Sequence, residues 1–165
     1  MSTDIWWVVE LYLLETLYIP AFTHRNLDVN QIGLLHIDPS NQGARLLKAK
    51  EHFACKEMMY LTTCNRLEFT FVSSQSISTK QFLDFLYPEM NEENKNQLCQ
   101  NAEIFISEDA VKHALSVASS IDSMIVGERE IITQVRNAFE SSKSNRLTGD
   151  FIRLLTKKVI ETAKK

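Results

Sequence analysis

Residues 57–72 read EMMYLTTCNRLEFTFV, and this stretch decides the fold. It contains two apolar runs that are separated only by Cys64 and Asn65. In the second run, apolar residues alternate with Glu68 and Thr70, a period of two that is typical of a half-buried strand. Because asparagine readily adopts turn conformations, the sequence predicts a β-hairpin that carries Cys64 at its tip.

Further strands and helices are predicted outward from this hairpin. Strands are predicted at 17–23, 57–63, 66–72 and 103–106. Four helices are predicted by their ranges, at 42–53, 82–86, 89–100 and 131–139. Three more are predicted by their N-terminal caps, which are Asp28, Ser107, and either Thr148 or Asp150. Pro20 within the first strand favours an edge or a bulge, because proline has no N–H to donate. Strands interleaved with helices predict an α+β fold, an antiparallel sheet with helices on one face.

The composition is that of a globular domain. The chain has 165 residues, of which 44% are hydrophobic and 24% charged, and its net charge is −3. These values exclude collagen-like, disordered and disulfide-dense proteins. The three cysteines lack CxxC spacing and the four histidines lack HxxxH spacing. We therefore expect neither a disulfide framework nor a metal site.

An apolar stretch at residues 5–22 includes the first strand. Glu10, Glu15 and Pro20 interrupt it, so its uncharged runs are shorter than the roughly 18 residues that a membrane span needs. No Lys or Arg precedes it, as a secretory signal would require. We expect a short buried helix before the first strand, and a cytoplasmic protein.

The C-terminal part of the chain is basic, although the whole chain is acidic. From residue 143 onward there are seven Lys and Arg residues and two acidic residues. A basic helix of this kind suits phosphates or an anionic partner. The alternative is an ordinary solvated helix face.

Cys64 and His113 are the residues best suited to covalent chemistry. A thiol at a strand tip is open to a ligand, and Arg66 nearby favours the thiolate or binds a substrate carboxylate. The alternative is that Cys64 is an inert cysteine of a turn. His113 lies at the margin of an apolar helix face, where it is either a half-buried packing residue or a general base. The segment 119–135, SSIDSMIVGEREIITQV, is dense in hydroxyl and carboxyl groups; on spacing alone it is either a connection between helices or part of a site.

Four motifs together resemble glutamyl-tRNA reductases, specifically the N-terminal catalytic domain of that family. The motifs are THRN at 23–26, TTCNRLEF at 62–69, VKHALSVASSIDSMIVGE at 111–128, and QV at 134–135 followed by GDFIRLL. They occur in the family's order and at its approximate spacing, and the resemblance covers about residues 17–165. It implies a ferredoxin-like sheet that is extended by C-terminal helices.

The resemblance also implies an activity. Members of the family reduce the glutamate carried by tRNA to glutamate-1-semialdehyde with NADPH, at the start of tetrapyrrole and heme biosynthesis. Cys64 would be the nucleophile, whose thiolate attacks the ester of glutamyl-tRNA(Glu) and forms a glutamyl thioester. His113 would act as a base or position the ester. The implied partners of the whole enzyme are a second copy of itself and, for product channelling, glutamate-1-semialdehyde aminotransferase, with no membrane involved.

Substrate-binding positions follow from the same resemblance. The implied residues are Thr63, Asn65, Arg66, Ser123, Glu128, Arg129, Glu130 and Gln134. The family commonly has Glu-Pro-Gln where this chain has Glu128-Arg129-Glu130. Glu130 therefore adds a charge in or near the implied pocket.

The expected organisation is an N-terminal extension at 1–16, the catalytic domain at 17–147, and the start of a long connecting helix at 148–165. No GxGxxG fingerprint occurs, and four glycines spread over the chain do not build a dinucleotide-binding loop. We therefore expect the family's NADPH-binding and dimerisation domains to be absent from this chain. On this expectation, the chain would form the glutamyl thioester on Cys64 or hydrolyse it, but would not reduce it. The competing hypotheses are a non-catalytic module that binds tRNA or a partner through the basic helix, and a thiol esterase of an unrelated pathway.

Overall fold

The hairpin around Cys64 lies in a four-stranded antiparallel sheet. A computed structural model describes residues 15–119 and 130–164. Its strands are β1 (Thr16–Thr23), β2 (Glu57–Thr62), β3 (Arg66–Ser73) and β4 (Glu103–Ile106). Their order across the sheet is β2-β3-β1-β4. This is the α+β, ferredoxin-like arrangement that was expected.

Helices cover both faces of the sheet. Within the described ranges they are α1 (Val29–Gly33), α2 (Pro39–His52), α3 (Thr79–Leu86), α4 (Glu92–Asn101), α5 (Glu108–Ala118), α6 (Glu130–Ser144) and α7 (Asp150–Ala163). Helices α2 to α4 pack on one face, and α5 to α7 extend the fold over the other. None of these helices is long and apolar enough to cross a membrane. The expected N-terminal helix and the interruption at 121–127 lie outside the described residues.

Strand β3 is buried along its whole length. Its apolar residues Leu67, Phe69 and Phe71 belong to the core beneath α2 to α4. Its alternate residues Glu68 and Thr70 lie beneath the C-terminal helices, and both are buried. The prediction of a half-buried strand was therefore wrong, because α5 to α7 cover the face that its polar residues occupy.

Strand β1 lies inside the sheet, so the edge position predicted from Pro20 was also wrong. The ladder to β3 pairs Tyr18 with Phe71 and Ala21 with Glu68, and it is interrupted between these pairs. On its other side, β1 pairs continuously with β4 through this region. The sheet thus accommodates the missing N–H of Pro20 by an interruption of one ladder.

Two helix starts differ in detail from those predicted. Helix α2 begins three residues before the predicted start at Gln42, because Asp38 is its N-cap and accepts a hydrogen bond from the Ser40 N–H at 2.8 Å. Pro39 takes the first helical position, where a missing N–H costs nothing. Ser107 is the N-cap of α5 as predicted, but its side chain makes no capping hydrogen bond.

The cap of α7 comes from a strand rather than from Thr148 or Asp150. Its N-cap is Gly149, which has no side chain. The carboxylate of Glu57 in β2, which is 1% exposed, accepts hydrogen bonds from the first backbone N–H groups of the helix: Gly149 at 2.5 Å, Ile152 at 3.0 Å and Phe151 at 3.2 Å. A carboxylate is favourable at a helix N-terminus, so Glu57 fastens α7 to the sheet.

Candidate active site

Cys64 is presented on a turn whose neighbours are fixed by hydrogen bonds. The Thr63 N–H donates to the Arg66 carbonyl at 2.9 Å. The Thr63 hydroxyl donates to the Asn65 side-chain oxygen at 3.0 Å and accepts from the Asn65 N–H at 3.3 Å. The His24 N–H donates to the Asn65 carbonyl at 3.0 Å, which ties the turn to the end of β1. The Cys64 side chain is thus exposed on a short loop that has little freedom to move.

The three cysteines differ sharply in their surroundings. Cys64 is exposed, Cys99 is half-buried and Cys55 is buried. Burial raises the pKa of the Cys55 thiol to about 11 and also raises the pKa of the Cys99 thiol. Because the thiolate is the nucleophile, these two are poor candidates for covalent chemistry and Cys64 is the candidate that the structure leaves accessible.

A buried ionic cluster lies next to this turn. The Arg66 Nη1 donates to the Glu68 Oε1 at 2.5 Å, and the His113 Nε2 lies 2.8 Å from the same oxygen. Arg66 is 1% exposed, Glu68 4% and His113 7%. The Phe105 ring stacks on the His113 imidazole, with centroids 3.9 Å apart and planes 10° from parallel. Removing Glu68 would take from both Arg66 and His113 a buried acceptor that they share.

The geometry of this cluster sets the proton positions on His113. An ionised carboxylate only accepts hydrogen bonds, so the Nε2 of His113 is the protonated nitrogen that donates to Glu68. In the neutral imidazole the lone pair is then on Nδ1. Glu68 thereby holds His113 in one tautomer and one orientation.

The strand geometry relates the cluster to the Cys64 turn along the chain. Side chains two residues apart point to the same side of a strand, so Arg66 and Glu68 face α5 together. At about 3.3 Å per residue, they follow Cys64 by roughly 7 and 13 Å along the backbone. Helix α5 supplies His113 from its buried face, which it shares with Ala110 and Val117.

The other residues implied as substrate contacts are spread over three regions. Thr63 and Asn65 flank Cys64 and are half-buried. Gln134 lies on α6 and lines a cleft with Thr62, at the end of β2. Glu130 is the first residue of α6. Ser123, Glu128 and Arg129 lie outside the described residues.

Glu68 is the functional residue that the sequence analysis missed. The alternation of β3 was taken to place it towards solvent, whereas it bridges Arg66 and His113. The signal that was available is that Arg66 and Glu68 share one face of a strand directly after the candidate nucleophile. That pattern fits either solvent or a covering helix, so it does not by itself predict the burial of Glu68.

Other features of the structure lie apart from the Cys64 turn. A cavity of about 760 Å³ is lined by α2 and the connection between α3 and α4, including Arg45 and Tyr87. Four basic residues of the C-terminal helix and its C-cap are exposed, namely Arg153, Lys157, Lys158 and Lys164. In the described part of the chain, His, Cys, Asp and Glu residues form no group of three or more that could hold a metal ion.

The chain is similar to known proteins over most of its length. The family model described as "Glutamyl-tRNAGlu reductase, N-terminal domain" matches residues 21–165. A glutamyl-tRNA reductase of Campylobacter curvus is 32% identical over 135 residues, which are 80% of this chain and 31% of that protein. A glutamyl-tRNA reductase of Campylobacter hominis is 28% identical over 144 residues, 87% of this chain and 34% of that protein.

The fold is also that of a solved structure, the glutamyl-tRNA reductase from Methanopyrus kandleri. The TM-score is 0.72 and the identity 22%, over 90% of this chain and 33% of that one. The chain thus spans about a third of the length of the relatives it matches. On the match of the family model over residues 21–165, this chain belongs to the family of glutamyl-tRNAGlu reductase N-terminal domains.

Proposed function

We propose that this chain is the acyl-transfer domain of a glutamyl-tRNA reductase, in which Cys64 takes the glutamyl group from glutamyl-tRNA. The observation that carries the proposal is the exposed thiol on a hydrogen-bonded turn that leads directly into β3, where Arg66 begins the buried cluster with Glu68 and His113. The names of the relatives support the substrate.

The proposed step exchanges an ester for a thioester. The Cys64 thiolate attacks the ester carbonyl carbon of glutamyl-tRNA, so that a C–S bond forms and the C–O bond to the ribose breaks. The ribose oxygen leaves and takes up a proton, which restores the free hydroxyl of the tRNA. The thiol proton that was lost on activation balances this uptake. The products are glutamyl-Cys64 and deacylated tRNA.

His113 is the residue suited to move that proton. Since its Nε2 donates to Glu68, its Nδ1 is the nitrogen left to accept a proton, and the proposal requires the bound substrate or a water to carry that proton between the thiol, Nδ1 and the leaving oxygen. Glu68 acts through His113 and Arg66, so it is a positioning residue rather than a catalytic one. The carboxylate would also stabilise the imidazolium that forms during the step.

The neighbouring polar residues are proposed to bind the glutamyl group. Arg66 has five N–H donors on its guanidinium, and its positive charge near the turn suits a substrate carboxylate. Thr63 and Asn65 line the same turn. Ser123, Glu128, Arg129, Glu130 and Gln134 remain proposed contacts of the substrate, taken over from the family.

The described residues do not form a loop that fits a dinucleotide cofactor. The described glycines lie at the end of α1, within α2 and before α7, namely Gly33, Gly43 and Gly149. A phosphate-binding loop needs clustered glycines between a strand and a helix. We therefore assign no reduction step to these residues, and NADPH-dependent formation of glutamate-1-semialdehyde for tetrapyrrole synthesis is proposed only for the whole protein.

The release of tRNA tests this proposal. Wild-type protein incubated with glutamyl-tRNA is expected to release deacylated tRNA, at least one equivalent per protein. Cys64→Ser should abolish this release, whereas the matched variant Cys99→Ser should leave it unchanged. Equal release by Cys64→Ser and wild type would contradict the proposed nucleophile.

The exposed basic face of α7 favours a second candidate function, that of a non-catalytic tRNA-binding module. In this case glutamyl-tRNA would bind to Cys64→Ala as tightly as to wild type, and the affinity would fall steeply with salt because phosphate contacts release counterions. Loss of all interaction in Cys64→Ala would exclude it.

A further inference from the structure

We propose that a small cleft beside the Cys64 turn binds the terminal adenosine of the acylated tRNA, the nucleoside that carries the ester. This inference rests on the proposed function and extends it to the recognition of the acyl donor. The cleft lies between α2, the end of β2 and α6. Its lining residues are Gln42, Tyr60, Thr62, Gln134, Asn137, Ala138 and Ser141.

The cleft has a volume of about 250 Å³, and its described lining combines polar and apolar surface with no charged side chain. Three of the lining residues carry side-chain amides and three carry hydroxyl groups, of which the Tyr60 hydroxyl already accepts a hydrogen bond from the Ile37 N–H. Drug-sized ligands occupy pockets of roughly 300 Å³ and more, so this volume suits a single nucleoside. Among the described residues, the side chains of Gln42, Gln134 and Asn137 have no hydrogen-bond partner, which leaves their amides available to a ligand.

The position of the cleft matches the geometry of the proposed reaction. Thr62 precedes Cys64 by two residues, which is roughly 7 Å along a strand. In an aminoacyl ester the carbonyl that Cys64 attacks is bonded directly to a ribose oxygen. The ribose must therefore lie next to the thiol and its base just beyond the sugar, and the cleft that Thr62 lines is the described cleft closest to Cys64 along β2.

The chemistry of the lining selects a base rather than a phosphate. Side-chain amides of Asn and Gln pair with the N6 and N7 atoms of adenine through two hydrogen bonds. Phosphates are bound mainly by Arg, Lys and helix N-termini, and none of the described residues that line the cleft is cationic. Every tRNA acceptor end terminates in adenosine, so an adenine site at this place would serve any glutamyl-tRNA.

The two walls of the cleft are held together by a close contact. A Cβ atom at Gly43, next to Gln42 on α2, would lie 2.1 Å from the Asn145 side-chain oxygen. Asn145 in turn donates to the Ser141 carbonyl at 2.8 Å. The glycine thus lets α2 approach the C-terminal end of α6, and this approach sets the width of the cleft.

The experiment compares the rate at which Cys64 is acylated by three donors. The donors are glutamyl-tRNA, the 3′-O-glutamyl ester of adenosine, and a glutamyl thioester of benzyl mercaptan, which has no nucleoside. Asn137→Ala and Ser141→Ala are the test variants, because both residues are exposed and their truncation should not affect folding. Thr133→Ala, at an exposed position on α6 that does not line the cleft, is the matched control.

The proposal predicts a loss that depends on the donor. Asn137→Ala should acylate roughly 5- to 150-fold more slowly from both adenosine-containing donors, the range for loss of one bidentate amide contact, with a smaller loss for Ser141→Ala. Acylation by the benzyl thioester should change less than about twofold, and Thr133→Ala should match wild type with every donor.

Three results would overturn the inference. Equal losses with all donors would mean that the cleft residues only support the site. No loss with any donor would mean that the cleft is not used, and a loss with glutamyl-tRNA but not with glutamyl-adenosine would place another part of the tRNA there. Absence of acylation of wild type by every donor would instead refute the proposed function, and this inference with it.

Discussion

Replacing Glu68 by glutamine is the perturbation that most directly probes the buried cluster. The change keeps the size of the side chain and one oxygen acceptor, but it removes the negative charge. Arg66, which is 1% exposed, then loses the carboxylate that lies 2.5 Å from its Nη1. His113 also loses the charged acceptor that fixes its tautomer.

The expected loss of stability follows from the burial of this pair. Breaking a buried ion pair by removing one partner costs about 3–5 kcal/mol, and the retained acceptor of glutamine places the expected loss near 3 kcal/mol. That is a factor of roughly 150 in the folding equilibrium. For a domain of this size it corresponds to a decrease in melting temperature of about 6–12 °C.

Urea denaturation measures this quantity, and a surface carboxylate provides the control. Glu68→Gln should lower the denaturation midpoint while leaving the slope m unchanged. Glu108→Gln removes a carboxylate that pairs with Lys112 at 3.1 Å, but its side chain is 82% exposed, so its effect should stay within about 0.5 kcal/mol. A loss below about 1 kcal/mol for Glu68→Gln would refute the view that its charge compensates Arg66.

Three further predictions concern α7, the cysteines and His113. Glu57→Gln should destabilise the protein by about 1.5–3 kcal/mol in urea denaturation, because it weakens charge-assisted bonds to the α7 N-terminus, whereas Asp150→Asn at the exposed end should change little. In alkylation at pH 8 followed by peptide mass mapping, Cys64 should react in the native protein and Cys55 only after unfolding. The reason is that a pKa of about 11 for the Cys55 thiol leaves roughly one thiolate per thousand thiols at this pH. Alkylation of Cys55 in the native protein faster than that of Cys64 would contradict the burial of Cys55. His113→Asn should slow acylation of Cys64, and rescue of the rate by raising the pH would identify His113 as a proton carrier, whereas no rescue would identify an orienting role.

The sequence was sufficient to predict most of the strands and helices, but not which faces of the sheet the helices cover. The hairpin, β4 and the caps at Asp28 and Ser107 were predicted, because turn residues and apolar alternation are local signals. Burial of Glu68 was not predictable from its strand, since a polar residue at alternate positions fits either solvent or a covering helix. The capping of α7 by Glu57 joins residues more than 90 positions apart, and no local pattern reports such a contact.

The candidate site was predicted in its two principal residues only because of the family motifs. Pattern alone left Cys64 as an ordinary turn cysteine and His113 as an ordinary half-buried histidine. The structure adds the carboxylate that joins Arg66 to His113, and this contact depends on packing α5 across β3. Pairing between a helix and a strand follows from the assembled core, which a single sequence does not encode in any one segment.

The intact mass of the protein after incubation with glutamyl-tRNA and an acid quench tests the central claim most directly. The account predicts a mass increase of one glutamyl group on wild type and on Cys99→Ser, with no increase on Cys64→Ala. An adduct of the same mass on Cys64→Ala, or the absence of both adduct and tRNA release from wild type, would contradict the assignment of Cys64 as the acyl acceptor.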